Sequence, residues 1–520
     1  MTQTILTGAE ATNKMKAGID TLTDIVAKTL GAKGRTIIID RPMLPTIVTK
    51  DGVTVVKAIE INDAIENIGS ALIRDASIKT LELVGDGTTT VCVLARAIFN
   101  EGLKLIAAGY NAMEVKKGIE AGVEQVVAQI KKLSVEVDDK MLLDVATVSA
   151  NNDAAIGKLV SEAYNKIGKD GIITIEDAKS PNTEIKIIDG LRINKGFLDP
   201  FYINNQSKMT CELKKVAILL YDREITTAQE VIQIVSAKKG VPLLIICGGL
   251  EGEAYATVRT NRVNANYPIC VIEAPYIMDR SREVLEDIAI LTGATVISEA
   301  SGYTLDKLKG DMFGDAETIT TTQAHTTIVG GGGDKKEIKK RIESLKKFAT
   351  NPETRGFDKV QLQERAAKME NGVAVMYVAG VSQVEINEKK DRCDDAVRAT
   401  KAALEEGVVP GGGFALLSCK IKEEGNKDFE AGMQLVAKIL SAPLRQMCEN
   451  AGLDAGYVAN KCIELGKGYN FMNDSYEDLS ASGILDPAKV CRVTLEQAAS
   501  VAGTMLTSAG LVCELPKEQK

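Results

Sequence analysis

The feature that most constrains this fold is a change of hydrophobic periodicity along the 520-residue chain. Residues roughly 8–132 repeat apolar side chains at helical spacing, and residues roughly 189–373 alternate short apolar runs with helix-like segments. From about residue 406 onwards the pattern is helical again. The length suits three or four domains. The order fits either three successive domains or one helical domain interrupted by an insertion, and periodicity does not decide between them.

The first zone combines long helices with two short strands. Apolar residues recur at helical spacing from Met15 to Leu30, and Gly31 follows as a stop signal. Two β segments, 36–40 and 54–59, lie on either side of the turn signal Asp51-Gly52. The remaining helical patterns cover 62–109 and 112–133.

The middle zone predicts a sheet. Its apolar runs are 216–222, 242–247, 269–275 and 294–299, and its helix-like segments lie near 227–239, 251–262 and 281–292. Such alternation predicts a parallel sheet covered by helices. The glycine run 330–333 precedes a charged segment, 335–348. No P-loop pattern frames this run, so we interpret it as a turn before a solvated helix.

Composition excludes several classes of function. The net charge of −8, with acids and bases interleaved, disfavours a nucleic-acid partner because phosphate contacts need a basic face. Aromatic residues make up only 4% and Trp is absent, which disfavours base stacking. Apolar runs such as 241–247 are far shorter than the ~18 residues of a membrane span. The first residues lack the features of a signal peptide, so we expect a cytoplasmic protein that binds no membrane.

Cysteine and histidine usage narrows the chemistry further. The ten cysteines are scattered from Cys92 to Cys513 with no pair at CxxC spacing, which predicts buried, reduced thiols. His325 is the single histidine, so zinc hydrolases and histidine-based nucleophilic catalysis are nearly excluded. We interpret His325 itself as an ordinary strand or loop residue.

The strongest local motif is GDGTTT, Gly85–Thr90, which we call the GDGTTT loop. Glycines let the backbone approach a ligand, an aspartate can hold Mg²⁺, and threonines at a helix N-terminus offer hydroxyl and N–H groups to phosphate. Helix capping is the ordinary alternative, but it needs only one such residue. Because capping leaves the rest of the motif unexplained, we favour a phosphate site.

Four further segments are weaker signals, and each has an ordinary structural explanation. A helix C-cap explains 29–35, a hairpin turn explains 49–53, and a loop explains 411–413. Asp394 and Asp395 are explained as solvated acids on a predicted helix. No GxxxxGKS or GxxxxGKT motif occurs, so a role in ATP binding would not be that of a P-loop ATPase.

Taken together and in order, these motifs resemble the group I chaperonins, the GroEL type, over essentially the whole chain. The segments that carry the resemblance are LGAKGR (30–35), KDGV (50–53), GDGTTT (85–90), VSANND (148–153), LQERAAKMENGVAV (362–375), EEGVVPGGG (405–413), APLRQM (442–447), GYN (468–470), GILDPAKV (483–490) and AASVAG (498–503). GDGTTT is shared with archaeal and eukaryotic-cytosolic chaperonins, whereas the LQER, APLRQ and GYN to GILDP segments look specific to group I.

The resemblance implies an α+β multidomain chaperonin fold. It has a mainly helical equatorial domain, a small intermediate hinge domain and an α/β apical domain. The implied segments are equatorial 1–132, intermediate 133–188, apical 189–373, intermediate 374–405 and equatorial 406–520. Both ends of the chain would then build one ATP-binding domain. Gly190 and Gly372 match positions where the family bends between the apical and intermediate domains.

The resemblance also assigns roles in ATP hydrolysis. Asp395 matches the aspartate that positions or activates the attacking water, and Lys50 and Asp51 match the segment beside the phosphates and that water. The implied catalytic residues are therefore Asp395 and Asp51, while Asp86 matches the Mg²⁺ ligand. The other matches to the nucleotide site are Thr29, Leu30, Gly31, Ala32, Gly87, Thr88, Thr89, Thr90, Gly412, Asn470, Ile484 and Asp486.

The implied activity is an ATPase that drives the folding of non-native polypeptides in a ring cavity. The implied cofactors are ATP and Mg²⁺, with K⁺ as a further candidate. The implied partners are other copies of the chain in heptameric rings, non-native polypeptides and a GroES-type co-chaperonin.

The implied client-binding surface departs from the family in one helix. The matching residues are Phe197, Phe201, Tyr202, Val231, Ile232, Val235 and Tyr255. Tyr255 stands where Leu is usual, and Arg259 and Thr260 replace an apolar pair. A charge facing an apolar client costs desolvation free energy, so this surface would bind clients less strongly or bind different ones. Alternatively, Arg259 snorkels and Tyr255 compensates. The competing function is therefore a ring-forming scaffold with specialised clients and weak general folding activity.

Overall fold

The structure, a computed structural model, describes residues 3–41, 44–150, 152–169, 171–178, 180–206, 208–275, 279–350, 356–370 and 372–514. None of the helices in these ranges combines the length and the apolarity that crossing a bilayer requires. All ten cysteines are free thiols, and nine of them are buried as predicted, while Cys513 is partly exposed.

The described ranges contain eighteen α-helices and twenty strands. The helices are α1 (Gly8–Val26), α2 (Gly52–Ala58), α3 (Ala64–Val84), α4 (Thr88–Ala107), α5 (Ala112–Leu133), α6 (Asp139–Ser149), α7 (Ala154–Ile167), α8 (Ala228–Ala237), α9 (Gly252–Asn264), α10 (Asp279–Thr292), α11 (Lys335–Thr350), α12 (Gly356–Glu370), α13 (Gln383–Glu406), α14 (Phe414–Ser418), α15 (Lys427–Ile439), α16 (Ala442–Ala451), α17 (Ala455–Leu465) and α18 (Ala488–Leu506). The strands are β1 (Gln3–Thr7), β2 (Ile37–Arg41), β3 (Leu44–Thr49), β4 (Ile172–Asp177), β5 (Glu184–Ile188), β6 (Gly190–Ile193), β7 (Cys211–Tyr221), β8 (Glu224–Ile225), β9 (Leu243–Cys247), β10 (Gly249–Leu250), β11 (Ile269–Glu273), β12 (Val296–Ile297), β13 (Gly314–Thr321), β14 (Thr326–Gly331), β15 (Val373–Val378), β16 (Val408–Pro410), β17 (Gly468–Asn470), β18 (Ser475–Glu477), β19 (Leu485–Pro487) and β20 (Gly510–Glu514).

The chain forms two compact units. The first combines Met1–Glu162 with Gly380–Lys520, and the second is Ala163–Ala379. The middle of the chain is therefore inserted into a unit that both ends build. Both boundaries fall inside segments that the family resemblance assigns to the intermediate domain. The finer division into equatorial, intermediate and apical domains stays a prediction.

The first unit has a helical core. Helix α18 packs against α3, α4 and α5, and α3 also packs against α4. Helix α1 packs on α3 and α4, and α15 packs on α4 and α5. The amphipathic pattern explains this arrangement, since Ile19, Leu94, Ile119 and Leu495 are all buried in one cluster. The predicted helix at 112–133 is confirmed at both ends. Strands β1 and β20 pair antiparallel and so join the two described ends of the chain.

The sequence interpretation of residues 49–59 is wrong. β2 pairs with β3, while residues 52–58 form α2 instead of a second hairpin strand. Asp51 is the N-cap of this helix, because its carboxylate accepts hydrogen bonds from the N–H groups of Val53 at 3.1 Å and Thr54 at 2.9 Å. This cap outweighs the β propensity of the branched side chains that follow.

The second unit contains a seven-stranded sheet, and every strand predicted in the middle zone is present. Its order is β11-β9-β7-β13-β14-β6, and β12 also pairs with β7. The predicted purely parallel sheet is corrected, since β13, β14 and β6 run antiparallel to their neighbours. The glycine run begins in β14, and helix α11 follows it as predicted. His325 lies in the turn between β13 and β14, where Thr322 Oγ1 is 3.1 Å from its Nδ1.

Candidate functional site

The junction between α3 and α4 is a sharp turn at the GDGTTT loop. Gly85 and Gly87 have φ of +76° and +80°, in the left-handed region that favours glycine. Gly87 occupies the N-cap position of α4, and no side chain caps this helix. The first N–H groups of α4 therefore remain available beside the hydroxyls of Thr88 and Thr89, which suits an anion.

Two segments that are distant in sequence approach Thr89. Its Oγ1 lies 3.3 Å from Thr29 Oγ1. Gly52, at the start of α2, lies so close that a Cβ added to it would be 2.1 Å from Thr89 Oγ1. The turn at residues 29–32, the start of α2 and the start of α4 therefore form one site, and only glycine fits at position 52.

Helix α16 holds the turn at residues 29–32. Asn450 Nδ2 donates hydrogen bonds to the carbonyl oxygens of Ala27 at 2.8 Å and Leu30 at 2.9 Å. The side chain of Met447 packs against Gly31, where an added Cβ would lie 2.7 Å from Met447 Cγ. No sequence pattern assigns a role to either residue, although Met447 ends the APLRQM segment and Asn450 follows it closely.

A second glycine turn faces strand β19. Gly411 N–H donates to Ile484 O at 2.9 Å, and a Cβ added to Gly411 would lie 3.1 Å from Asp486 Oδ1. Gly412 and Gly413 have φ of +62° and +73°. The structure thus brings the turn at residues 411–413 together with Ile484 and Asp486, and the role of Gly412, Ile484 and Asp486 in a nucleotide pocket stays a prediction.

Four carboxylates of this unit are linked by electrostatic interactions, because Asp86 interacts with each of Asp51, Asp395 and Asp486. Burial raises the pKa of Asp395 well above its ordinary value, and the charges of Asp51 and Asp86 raise it further. Burial also raises the pKa of Asp86, with a contribution from Asp51. Burial raises the pKa of Asp486 to about 7, with a contribution from Asp86. Such a cluster favours either bound protons or a bound cation.

The residues fit a magnesium ion that is shared with a phosphate ligand. Mg²⁺ is usually held by one or two carboxylates together with substrate phosphates. Among the residues that the structure describes, no three His, Cys, Asp or Glu side chains form a complete metal site. Asp86, adjacent to the uncapped start of α4, is placed to supply such a single ligand.

Asp395 lies on α13, the helix that the sequence predicts there. This helix packs against α3 and α18 of the same unit. Asp395 is only partly exposed, and the charges of Asp51 and Asp86 act on its carboxylate.

The structure gives less direct support to Lys50 and Asn470 as nucleotide-binding residues. Lys50 is exposed immediately before the cap residue Asp51. Asn470 is buried, and its amide is already used within the β17–β18 hairpin: Nδ2 donates to Glu477, and Oδ1 accepts from Met472 N–H at 2.8 Å. A contact between the Asn470 side chain and a nucleotide would have to replace or share one of these bonds.

The candidate client-binding residues of the second unit divide into two groups. Phe197, Tyr202 and Val231 are buried in the core, so their side chains cannot contact a client in this conformation. Ile232 is 51% exposed. The partly exposed members are Phe201, Val235 and Tyr255.

The altered helix α9 presents a polar face. Tyr255 is fixed, because its hydroxyl donates to Asp199 Oδ2 at 2.6 Å and its ring packs edge-on against Phe201 at 5.9 Å. Arg259 and Thr260 are exposed, and Arg259 makes no ion pair with any residue in the described ranges. Tyr255 therefore covers part of the apolar surface that Phe201 would otherwise expose.

Comparisons with known proteins agree with this architecture. The solved structure of the chaperonin gp146 from the bacteriophage EL 2 (Pseudomonas aeruginosa), obtained in the presence of ATP-BeFx, matches with a TM-score of 0.69 and 21% sequence identity. The match covers 98% of this chain and 99% of that chain, which confirms the predicted fold class. The model of the TCP-1/cpn60 chaperonin family matches residues 22–239 and 228–513. The prediction of a divergent group I chaperonin-like protein is thereby confirmed, and the chain belongs to the TCP-1/cpn60 chaperonin family.

Proposed function

We propose that this chain forms the subunit of a chaperonin ring that binds non-native polypeptides and promotes their folding through ATP binding and hydrolysis. One observation carries the proposal: Asp395 shares an electrostatic cluster with Asp51 and Asp86 beside the uncapped start of α4. Family membership supports the chaperonin role. A heptameric ring and a GroES-type co-chaperonin belong to the same proposal.

ATP would be held by groups from separate parts of the first unit. The N–H groups and hydroxyls of Thr88–Thr90 would bind phosphate oxygens. The turn at residues 29–32 would hold the nucleotide from one side, and Gly412, Ile484 and Asp486 would hold it from the other. Asp86 would be the protein ligand of Mg²⁺, which when bound offsets phosphate charge. K⁺ is a further proposed cation to which we assign no residue.

Asp395 would act as the general base in hydrolysis. The oxygen of a water molecule attacks the γ-phosphorus, and the bond from that phosphorus to the β–γ bridging oxygen breaks, so that its electron pair leaves with ADP. The proton from the water goes to the Asp395 carboxylate and then to solvent. The raised pKa suits this task because it makes the Asp395 carboxylate a stronger proton acceptor than an exposed aspartate.

Asp51 would contribute a fixed charge rather than a mobile base. Its two carboxylate oxygens already accept hydrogen bonds from Val53 N–H and Thr54 N–H, and Oδ2 also accepts from the Thr54 hydroxyl at 2.5 Å. These bonds hold the carboxylate in one orientation. We therefore assign Asp51 to orienting the attacking water and Asp395 to accepting its proton.

The variant Asp395→Ala tests this function. We expect ATP turnover to fall by roughly 10²-fold or more, which is the usual contribution of a general base, while ATP binding and ring assembly are retained. Asp394→Ala removes the same charge from the neighbouring position of the same helix, and its turnover should change by no more than about threefold. Turnover in Asp395→Ala close to that of the parent protein would reject the assignment.

A second candidate function is a ring scaffold for specialised clients, and the polar face of α9 favours it. Arg259 would cost desolvation free energy against an apolar client. Refolding of several unrelated denatured proteins, with and without a co-chaperonin, separates the two functions. Broad rescue that depends on the co-chaperonin would count against the specialised scaffold.

A further inference from the structure

Arg398 lies one helical turn after Asp395 on α13, so the two side chains share one face of the helix. The mechanism proposed above gives Arg398 no role. In the described ranges it forms no ion pair, whereas Arg392 on the same helix pairs with Asp153 at 3.2 Å and Glu388 at 2.7 Å. A half-buried arginine that forms no ion pair is able to accept an anionic ligand.

The stem of Arg398 lies directly on the backbone of the GDGTTT loop. A Cβ added to Gly85 would lie 2.2 Å from Arg398 Cβ and 2.4 Å from Arg398 Cδ. Because Gly85 also has φ of +76°, both sterics and backbone conformation require glycine here. Arg398 is thus anchored one residue before Asp86, at the edge of the proposed phosphate site.

Arg398 interacts electrostatically with Lys57 of α2 and with Asp395 of α13. Asp395 in turn interacts with Asp51, the N-cap of α2, with Asp86 in the GDGTTT loop and with Asp394 on α13. Burial lowers the pKa of Lys57, and the charge of Arg398 lowers it further. Burial dominates the raised pKa of Asp395, and Arg398 opposes that rise. The guanidinium therefore lies within electrostatic reach of both the proposed base and Lys57 in the last turn of α2.

We propose that Arg398 binds the phosphates of ATP and neutralises the charge that spreads over the γ-phosphoryl group during its transfer. This inference rests on the proposed function, and Arg398 takes part in no bond that forms or breaks. A guanidinium suits the role because its planar fork matches two phosphate oxygens. Asp395 and Arg398 share one helix, so docking of α13 on Gly85 delivers the base and the positive charge in one movement.

Three variants test the inference. Arg398→Met keeps most of the stem and removes the charge, Arg398→Lys keeps the charge and removes the fork, and Arg392→Met removes a charge that the described structure already pairs. We would measure kcat and KM for ATP, and Kd for ADP, all with Mg²⁺. We expect Arg398→Met to lower kcat by roughly 10²- to 10³-fold, since arginines that stabilise this transition state contribute about 10³- to 10⁵-fold. Its Kd for ADP should change by less than about threefold, because ADP lacks the γ-phosphate.

The conservative variant and the control decide the interpretation. Arg398→Lys should recover at least about tenfold of the lost kcat, and Arg392→Met should stay within about threefold of the parent. A kcat within threefold of the parent in Arg398→Met, with Asp395→Ala inactive, would overturn the inference. An equal loss in Arg398→Met and Arg398→Lys, together with weakened ADP binding, would show a packing role and also overturn it. Unchanged turnover in Asp395→Ala would instead reject the proposed function itself.

Discussion

Gly52 offers the sharpest test of whether the start of α2 shapes the proposed phosphate site. Its φ lies outside the left-handed region, so Gly52→Ala introduces no backbone strain and its cost is purely steric. The added Cβ would lie 2.1 Å from Thr89 Oγ1 and 3.2 Å from Thr88 Oγ1. Non-bonded atoms prefer a separation near ~3.5 Å, so one side must move by more than roughly 1 Å.

The size of the effect follows from that displacement. Overpacking of this kind costs about 1–3 kcal/mol. If the displaced Thr89 hydroxyl must return to its place to bind phosphate, this free energy opposes ATP binding. ATP affinity then falls by about 5- to 150-fold. Calorimetric titration of ATP with Mg²⁺ in the Asp395→Ala background measures this loss of ATP affinity without hydrolysis. Gly456→Ala in α17 is the matched control, because its added Cβ meets only Asp454 Oδ1 at 3.3 Å.

A double-mutant cycle then identifies the clashing atom. Thr89→Ala removes the hydroxyl that the new methyl group at position 52 would strike, so Gly52→Ala should cost much less in that background than in the parent. Affinity for ATP within about twofold of the parent in Gly52→Ala would refute the reasoning. Strictly additive losses in the double variant would show that Gly52 acts elsewhere.

Two further predictions concern the rest of the site. Asn450→Ala leaves the carbonyls of Ala27 and Leu30 without their donor, which costs about 1–3 kcal/mol, so KM for ATP should rise by about fivefold or more; an unchanged KM would show that α16 does not hold the nucleotide turn. The pKa of Asp486 is raised to about 7 from 3.8, so the folded protein keeps a proton that the unfolded chain releases. The contribution of Asp486 to stability is therefore fully present below about pH 3.8 and falls by up to about 4 kcal/mol as pH rises from there through 7. With EDTA and no nucleotide, Asp486→Asn should weaken this fall, and equal pH slopes in both proteins by denaturant titration would contradict it.

Sequence patterns predicted the parts of the fold that local signals control. The start of α4 at the GDGTTT loop and the whole of α5 follow from helical periodicity combined with glycine or an Asn111 cap. Helix α2 was missed because Thr54, Val55 and Val56 favour strands when they are considered alone. The Asp51 carboxylate reverses that preference, because it accepts hydrogen bonds from two N–H groups at the start of the helix.

The site required long-range contacts that a sequence does not show. Asn450 reaches Ala27 across 423 residues, and no local pattern around position 450 points to that contact. The candidate client-binding residues are ambiguous for a different reason, because their residue type fits two roles. Aromatic side chains such as Phe197 and Tyr202 suit a hydrophobic core and a client-binding surface equally well. Only the observed burial of both residues distinguishes the two roles.

The pairing of β1 with β20 has a consequence for synthesis of the chain. The second unit is contiguous and complete once residue 379 has been made, whereas β1 must wait for a partner at residues 510–514. At ~5–20 residues per second, the interval of about 500 residues lasts roughly 25–100 s on the ribosome. Helices α3–α5 lack α15 and α18 for most of that time, so apolar residues such as Leu94 and Ile119 remain uncovered. The nascent helical unit is therefore itself an aggregation-prone polypeptide until its last helices are made.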